Sequence, residues 1–168
     1  MQNGQHIRSA FDKALEGIQA NMLKMGGLVE ANIISAAKAL EERDVELAEK
    51  VRERDRQIDN LEELINDGIS RFIAQESPVA TDLRVLLSIL KVSNNLERIG
   101  DHAKNTAKRT HVLLHLKDIE NSQAALRRLS KDVQLMLKDA LDAYINRDAD
   151  LALDVIARDT DVDELYSG

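Results

Sequence analysis

Apolar residues recur at intervals of three and four along almost the whole of the 168-residue chain, and this spacing most constrains its fold. In residues 5–43 the recurring positions are Phe11, Leu15, Ile18, Met22, Met25, Val29, Ile33, Ala36 and Leu40. Such spacing places the apolar residues on one face of a helix. The chain holds one Pro and seven Gly, and aromatic residues make up only 2% of it. The sequence therefore predicts an all-α fold with an aliphatic core.

Five helices are predicted, over residues 5–43, 45–75, 78–117, 123–146 and 149–168. Asp44 and Asp148 are the predicted N-caps of the second and fifth helices. Ser77 is the predicted N-cap of the third, with Pro78 at its first position. The core face of this third helix is predicted to contain Leu86, Ile89, Ser93, Leu96, Gly100, Ala103 and Ala107. Gly26-Gly27 interrupts the first helix, where we expect a kink or a close helix crossing.

The sequence contains an internal repeat with an offset of 104 residues. Arg43-Asp44 aligns with Arg147-Asp148, and Arg54-Asp55 aligns with Arg158-Asp159. Further aligned pairs are Ala48 with Ala152, Val51 with Val155, Ile58-Asp59 with Val162-Asp163, and Leu61 with Leu165. The repeating unit is three helices long. We therefore predict a complete three-helix bundle at residues 1–118 and the first two helices of a second bundle at residues 119–168. We expect a natural protein to continue into a sixth helix, so that this chain is a fragment; a natively short form is the open alternative.

Charge and composition exclude several classes of function. A net charge of -7 and a pI near 5.1 argue against nucleic acid or an anionic membrane surface as the main partner. The absence of Cys excludes disulfides and thiolate metal sites. No stretch reaches the roughly 18 apolar residues of a membrane-spanning helix. These features predict a cytoplasmic protein.

Two acidic pairs stand out because each lies beside an apolar face at helical spacing. Glu97 and Asp101 are four residues apart on the third helix, with Asn105 one turn further. Asp55 and Asp59 have the same spacing on the second helix, with Glu62 in the following turn. If both helices are straight and antiparallel, the two pairs differ in height by only about 3 Å. Their rotational sense is also the same, so both pairs turn either into one shared groove or away from it.

A shared groove would gather four carboxylates, whose repulsion is relieved by raised pKa values or by a bound cation. Oxygen ligands favour Mg, Mn, Ca or Fe over Zn or Cu. The plain alternative is that these are solvated surface charges, since 30 of the 168 residues are acidic. The matching level and sense, and the repeat of the spacing at Asp159 and Asp163, favour a metal site.

The stretch that contains Glu97 and Asp101 resembles a known family. The stretch Leu96-Glu97-Arg98-Ile99-Gly100-Asp101-His102-Ala103-Lys104-Asn105 is similar to the signature of the PhoU family of phosphate-transport regulators. Residues 25–30 and 78–84 are further matches, and the resemblance covers essentially the whole chain. It implies two tandem three-helix bundles that bind metal ions or clusters on their surfaces. It also implies a metal set of Asp55, Asp59, Glu97 and Asp101, with Asp159 and Asp163 as the corresponding residues of the second half. Glu62 and Asn105 are additional candidates because of their helical spacing from these acids.

The resemblance further implies a function. It predicts a metal-binding adaptor, not an enzyme, that restrains the phosphate-starvation response. The implied partners are the ATPase of the Pst phosphate transporter and a phosphate sensor histidine kinase, through which the protein would reach the inner face of the membrane. The unpaired edge of the fifth helix predicts a homo-oligomer. Two other interpretations stay open: a carboxylate-bridged metal oxidase or hydrolase, and a purely structural scaffold.

Overall fold

The computed structural model describes residues 2–117 and 122–167, with side chains from residue 10 onward. This part of the chain contains five helices and no strand, which confirms the all-α prediction. The helices are α1 (Gln2–Glu42), α2 (Val45–Glu76), α3 (Ala80–Leu113), α4 (Ser122–Asn146) and α5 (Ala149–Tyr166). None of them combines the length and apolar character that crossing a membrane requires. The predicted boundary between the two bundles, at residues 118 and 119, lies outside the described residues and stays a prediction.

Helices α1, α2 and α3 form an antiparallel three-helix bundle around one aliphatic core. The predicted core face of α3 is buried at every position, and Thr110 extends it. Near the turn from α1 to α2 the core consists mostly of alanine, which allows the three helices to approach closely. This cluster contains Ala36, Ala39, Ala48, Val51, Ala103 and Ala107.

The two halves of the repeat turn the chain in the same way. Arg43 and Arg147 both adopt left-handed backbone, with φ of 55° and 52°. The next residue in each half is the predicted N-cap: Oδ1 of Asp44 accepts from the amide of Leu47, and Oδ1 of Asp148 accepts from that of Leu151, both at 3.0 Å. The predictions for these two caps are therefore confirmed.

The prediction that Ser77 caps α3 is wrong. Ser77 instead ends α2 in a left-handed conformation, with φ 43° and ψ 61°. Pro78 has no amide hydrogen and could not have continued α2. Helix α3 begins at Ala80, and the carbonyl of Val79 accepts the amide of Leu83 at 3.0 Å. The chain therefore reverses direction at residues 77–79, and Ser77 is the C-cap of α2.

Helix α4 packs against α1 at the predicted glycine pair. Helix α1 continues through both glycines, and only Gly26 faces α4: an added Cβ there would lie 2.5 Å from Cδ1 of Leu141. No atom lies within 4 Å of a Cβ added at Gly27. The predicted close helix crossing is therefore present at Gly26, and Gly27 lies on the exposed side of the helix.

This difference predicts unequal responses to alanine. Gly27→Ala should raise the free energy of unfolding by about 0.5–1 kcal/mol, because alanine favours a helix interior and meets no neighbour. Gly26→Ala should gain less, since its methyl group displaces Leu141. Chemical denaturation of the two variants against wild type measures both effects. Equal stabilisation by the two substitutions would show that the α1–α4 crossing is not close.

Candidate metal centre

Helices α2 and α3 bring their acidic pairs into one groove. They cross at Gly100, where an added Cβ would lie 3.5 Å from Cδ1 of Ile58. Beside this crossing the Lys104 ammonium bridges the helices. Its Nζ lies 2.6 Å from Oδ2 of Asp55 and 2.6 Å from Oδ1 of Asp101. The two pairs therefore turn towards each other, which decides between the two arrangements that the sequence permitted.

We call this surface the carboxylate groove; it consists of Asp55, Asp59 and Glu62 on α2 and Glu97, Asp101 and Lys104 on α3. Asp55 forms its floor and is only 3% exposed. Gly100 lies beside this carboxylate: an added Cβ would lie 3.7 Å from Oδ1 of Asp55, an ordinary van der Waals contact. A buried carboxylate needs a partner, and Lys104 supplies it.

Lys104 is the residue of the groove that sequence reasoning missed. It follows Asp101 by three residues, so the i, i+3 spacing on one helix face could have found that half of the bridge. The other half, with Asp55, joins residues 49 positions apart and depends on how α2 and α3 cross. Hydrogen bonds to Asp101 and Asp55 raise the pKa of Lys104 above its ordinary value, so the amine stays protonated.

The acids of α2 are held in an unfavourable environment. Burial raises the pKa of Asp59, and the neighbouring charges of Asp55 and Asp101 raise it further. Burial also raises the pKa of Glu62, with the charges of Asp59 and Asp101 acting in the same direction. In the described part of the chain neither Asp59 nor Glu62 has a basic side chain within ion-pair distance. Both carboxylates therefore leave negative charge uncompensated in the groove.

The pKa values of Glu97 and Asp101 shift in opposite directions, because Lys104 contacts only Asp101 of the two. Burial, a hydrogen bond to Asp101 and the charges of the surrounding acids raise the pKa of Glu97 to about 7. The hydrogen bond from Lys104 lowers the pKa of Asp101. Because Lys104 favours the ionised form of Asp101, the proton of the pair resides on Glu97.

The donor chemistry of the groove fits a hard cation. Its acids are oxygen donors, which suit Mg, Mn or Fe, and they carry more negative charge than Lys104 compensates. With the side chains as they stand, the described residues contain no group of three or more His, Cys, Asp or Glu in metal-binding arrangement. A cation would therefore need side-chain movement, and Lys104 already holds two of the acids.

The remaining candidates lie away from this bridge. Asn105 is exposed on α3, one turn beyond Asp101. Asp159 and Asp163 are exposed on α5, whose helix contacts within the described residues are with α4 alone. The structure thus assembles the first set of acids and leaves the repeated pair apart from it.

Comparisons with known proteins match this fold. Residues 22–110 and 126–168 match the PhoU domain family. The chain is 40% identical over 161 residues to the phosphate-specific transport system accessory protein PhoU homolog of Pseudomonas aeruginosa, covering 96% of this chain and 66% of that protein. It is 36% identical over 163 residues to the homolog of the same name from Caulobacter vibrioides, covering 97% of this chain and 71% of that one.

Two solved structures have the same architecture. A crystal structure of PhoU from Pseudomonas aeruginosa superimposes with a TM-score of 0.88 at 40% identity, covering 94% of this chain and 75% of that chain. The phosphate transport system regulatory protein PhoU from Streptococcus pneumoniae gives 0.84 at 30% identity, with 94% and 73% covered. The chain thus spans somewhat less than two thirds of the length of the first Pseudomonas relatives, at 66% and 63%.

Proposed function

The chain belongs to the PhoU family, and from this premise we propose that it is a negative regulator of the phosphate-starvation response. The observation that carries the proposal is the similarity along 96% of the chain to proteins named as accessory proteins of a phosphate-specific transport system. We assign it an adaptor role between the ATPase of the phosphate transporter and a phosphate sensor histidine kinase, at the inner face of the membrane. The proposed working form is a homo-oligomer.

The carboxylate groove is the proposed metal site. Asp55, Asp59, Glu97 and Asp101 would hold a Mg, Mn or Fe ion, with Glu62 beside them. A bound ion would supply positive charge between the acids of α2 and those of α3. The ionised acids repel one another, and a bound cation would relieve that repulsion. We therefore propose that the state of the groove controls which partner surface the bundle presents.

We assign the groove a binding role and no catalytic one. Its polar side chains are carboxylates and one lysine on two packed helices, and Lys104 is held by two acids. A regulator needs such a site to hold one arrangement of α2 and α3, and this requires no turnover. The carboxylate-bridged oxidase or hydrolase is the competing function, and an assay of the metal-loaded protein for either activity would distinguish the two.

The proposed function predicts a loss of repression when the groove is altered. In a bacterium that lacks its own PhoU protein, this chain should lower expression of a phosphate-starvation reporter in phosphate-rich medium. With the Glu97→Ala/Asp101→Ala variant, repression of the reporter should be at least several-fold weaker than with wild type. The matched control is Asp159→Ala/Asp163→Ala, which removes the same charge at the exposed pair on α5 and should leave repression unchanged.

The same three proteins separate regulation from metal binding. Titration with Mn²⁺ in a calorimeter should give a heat of binding with wild type and the α5 control, and none with Glu97→Ala/Asp101→Ala. Equal Mn²⁺ binding by all three would remove the metal from the proposal. A reporter that stays fully active with wild-type protein present would contradict the regulatory role itself.

A further inference from the structure

Lys104 is held more firmly than a surface lysine. Its side chain is 24% exposed, while that of Asp55 beneath it is only 5% exposed. Both of its contacts, to Oδ2 of Asp55 and Oδ1 of Asp101, are short charge-assisted hydrogen bonds of 2.6 Å. One of these acids belongs to α2 and the other to α3. The ammonium thus connects the two helices at the floor of the carboxylate groove.

A divalent cation and this ammonium would compete for the same oxygens. Mg²⁺, one of the proposed ions, binds oxygen ligands at roughly 2.0–2.1 Å, which is closer than the 2.6 Å at which the ammonium lies from each acid. An ion held by both Asp55 and Asp101 would need the space that Nζ of Lys104 now occupies. The ion and the ammonium would also repel each other, because both are positively charged. Lys104 and a bridging ion therefore exclude each other.

Charge remains to attract an ion even while Lys104 is in place. Asp59, Glu62 and Glu97 have no basic partner within ion-pair distance among the described residues. An approaching dication would meet these acids first and then compete for the two that Lys104 holds. The lysine can leave by rotation of its own side chain, since it is long, flexible and partly exposed.

We propose that Lys104 is the internal counter-ion of the carboxylate groove, and that a divalent metal ion binds by displacing its ammonium into solvent. This inference rests on the proposed function, because it assumes that the groove binds metal. Its consequence is that Lys104 weakens metal affinity and sets the concentration at which the groove fills. It also keeps α2 and α3 joined in the metal-free protein, so the groove exchanges one cation for another.

Removal of the lysine charge tests the inference directly. Calorimetric titration with Mn²⁺ should give an apparent Kd at least about ten-fold lower for Lys104→Met than for wild type, since two charge-assisted hydrogen bonds no longer compete. Lys104→Arg keeps the positive charge and should bind Mn²⁺ about as weakly as wild type. Lys108→Met is the matched control, because it removes one exposed positive charge a turn further along α3.

A measurement on wild type does not depend on the folding of any variant. Acetylation of lysine amines, followed by mass spectrometry, should be slow at Lys104 without metal and several-fold faster with saturating Mn²⁺. Lys108 is the internal control and should react at the same rate in both conditions. Acetylation of Lys104 that stays slow although Mn²⁺ is bound would overturn the displacement.

The outcomes separate this inference from the proposed function. If wild type, Lys104→Met and Lys108→Met all fail to bind Mn²⁺, the metal site itself is wrong and the inference falls with it. If wild type binds Mn²⁺, Glu97→Ala/Asp101→Ala does not, and Lys104→Met binds no more tightly than wild type, the metal site stands and the inference alone is overturned. Tighter binding by Lys104→Met together with faster acetylation supports it.

Discussion

Replacing Lys104 with methionine in the metal-free protein is expected to lower the free energy of unfolding by about 3 kcal/mol at pH 7.5. Methionine replaces the unbranched apolar stem of the lysine but carries no charge. It leaves Asp55, which is 3% exposed, as a buried carboxylate without a partner. The free-energy cost at Asp101 is smaller, since its side chain is 44% exposed and water can solvate it. Urea denaturation in the presence of EDTA measures the loss.

A second substitution shows whether the unpaired charge causes that loss. Lys104→Met/Asp55→Asn removes both charges of the buried pair, so it should recover to within about 1 kcal/mol of wild type. Lys108→Met controls for net charge and should change stability by less than about 0.5 kcal/mol. If Lys104→Met were as stable as Lys108→Met, Lys104 would not be the partner on which burial of Asp55 depends.

Replacing Glu97 with glutamine is expected to stabilise the metal-free protein by about 1.5 kcal/mol at pH 8. Folding raises the pKa of Glu97 from 4.5 to about 7, so the folded state binds the proton more tightly than the unfolded state. Wild-type stability attributable to this group is therefore complete below pH 4.5 and falls until about pH 7. The unscreened shift corresponds to about 3.4 kcal/mol, and solvent screening at the partly exposed Glu97 reduces this to about 1.5 kcal/mol.

The diagnostic result is the pH at which the two proteins diverge. Wild type and Glu97→Gln should have similar stability at pH 4.5, and the gap should open between there and about pH 7. Glu53→Gln is the control: it removes an exposed carboxylate on α2 and should produce no such gap. A constant difference between wild type and Glu97→Gln at every pH would mean that folding does not change the affinity of Glu97 for its proton.

Most of the helical architecture could be predicted because it depends on short sequence intervals. The core face of α3 and the caps at Asp44 and Asp148 follow from residues within a few turns of one another. The failure at Ser77 has the same origin. A serine before a proline suits the start of a helix locally, but this one adopts φ 43° because α2 ends there and the chain reverses.

Polar contacts inside the bundle could not be predicted in the same way. Asn32 is fully buried on α1, and its Nδ2 donates to the carbonyl of Val51 on α2 at 3.1 Å. Arg54 donates to Ser35 at 2.9 Å, and Arg158 donates to Asp139 at 2.6 Å at the same positions of the second repeat. Spacing along one helix says nothing about such partners, since each pair joins different helices.

The sequence by itself determined five amphipathic helices, the repeat of 104 residues and the acids that lie beside the core face. Each of these is a property of one helix, or of two stretches compared with each other. Only the tertiary structure decided that the acids of α2 and α3 meet, that Asp55 is buried, and that Lys104 holds it. The reason is that these features depend on the crossing at Gly100 and on charges 49 residues apart, which interact only once the helices have packed.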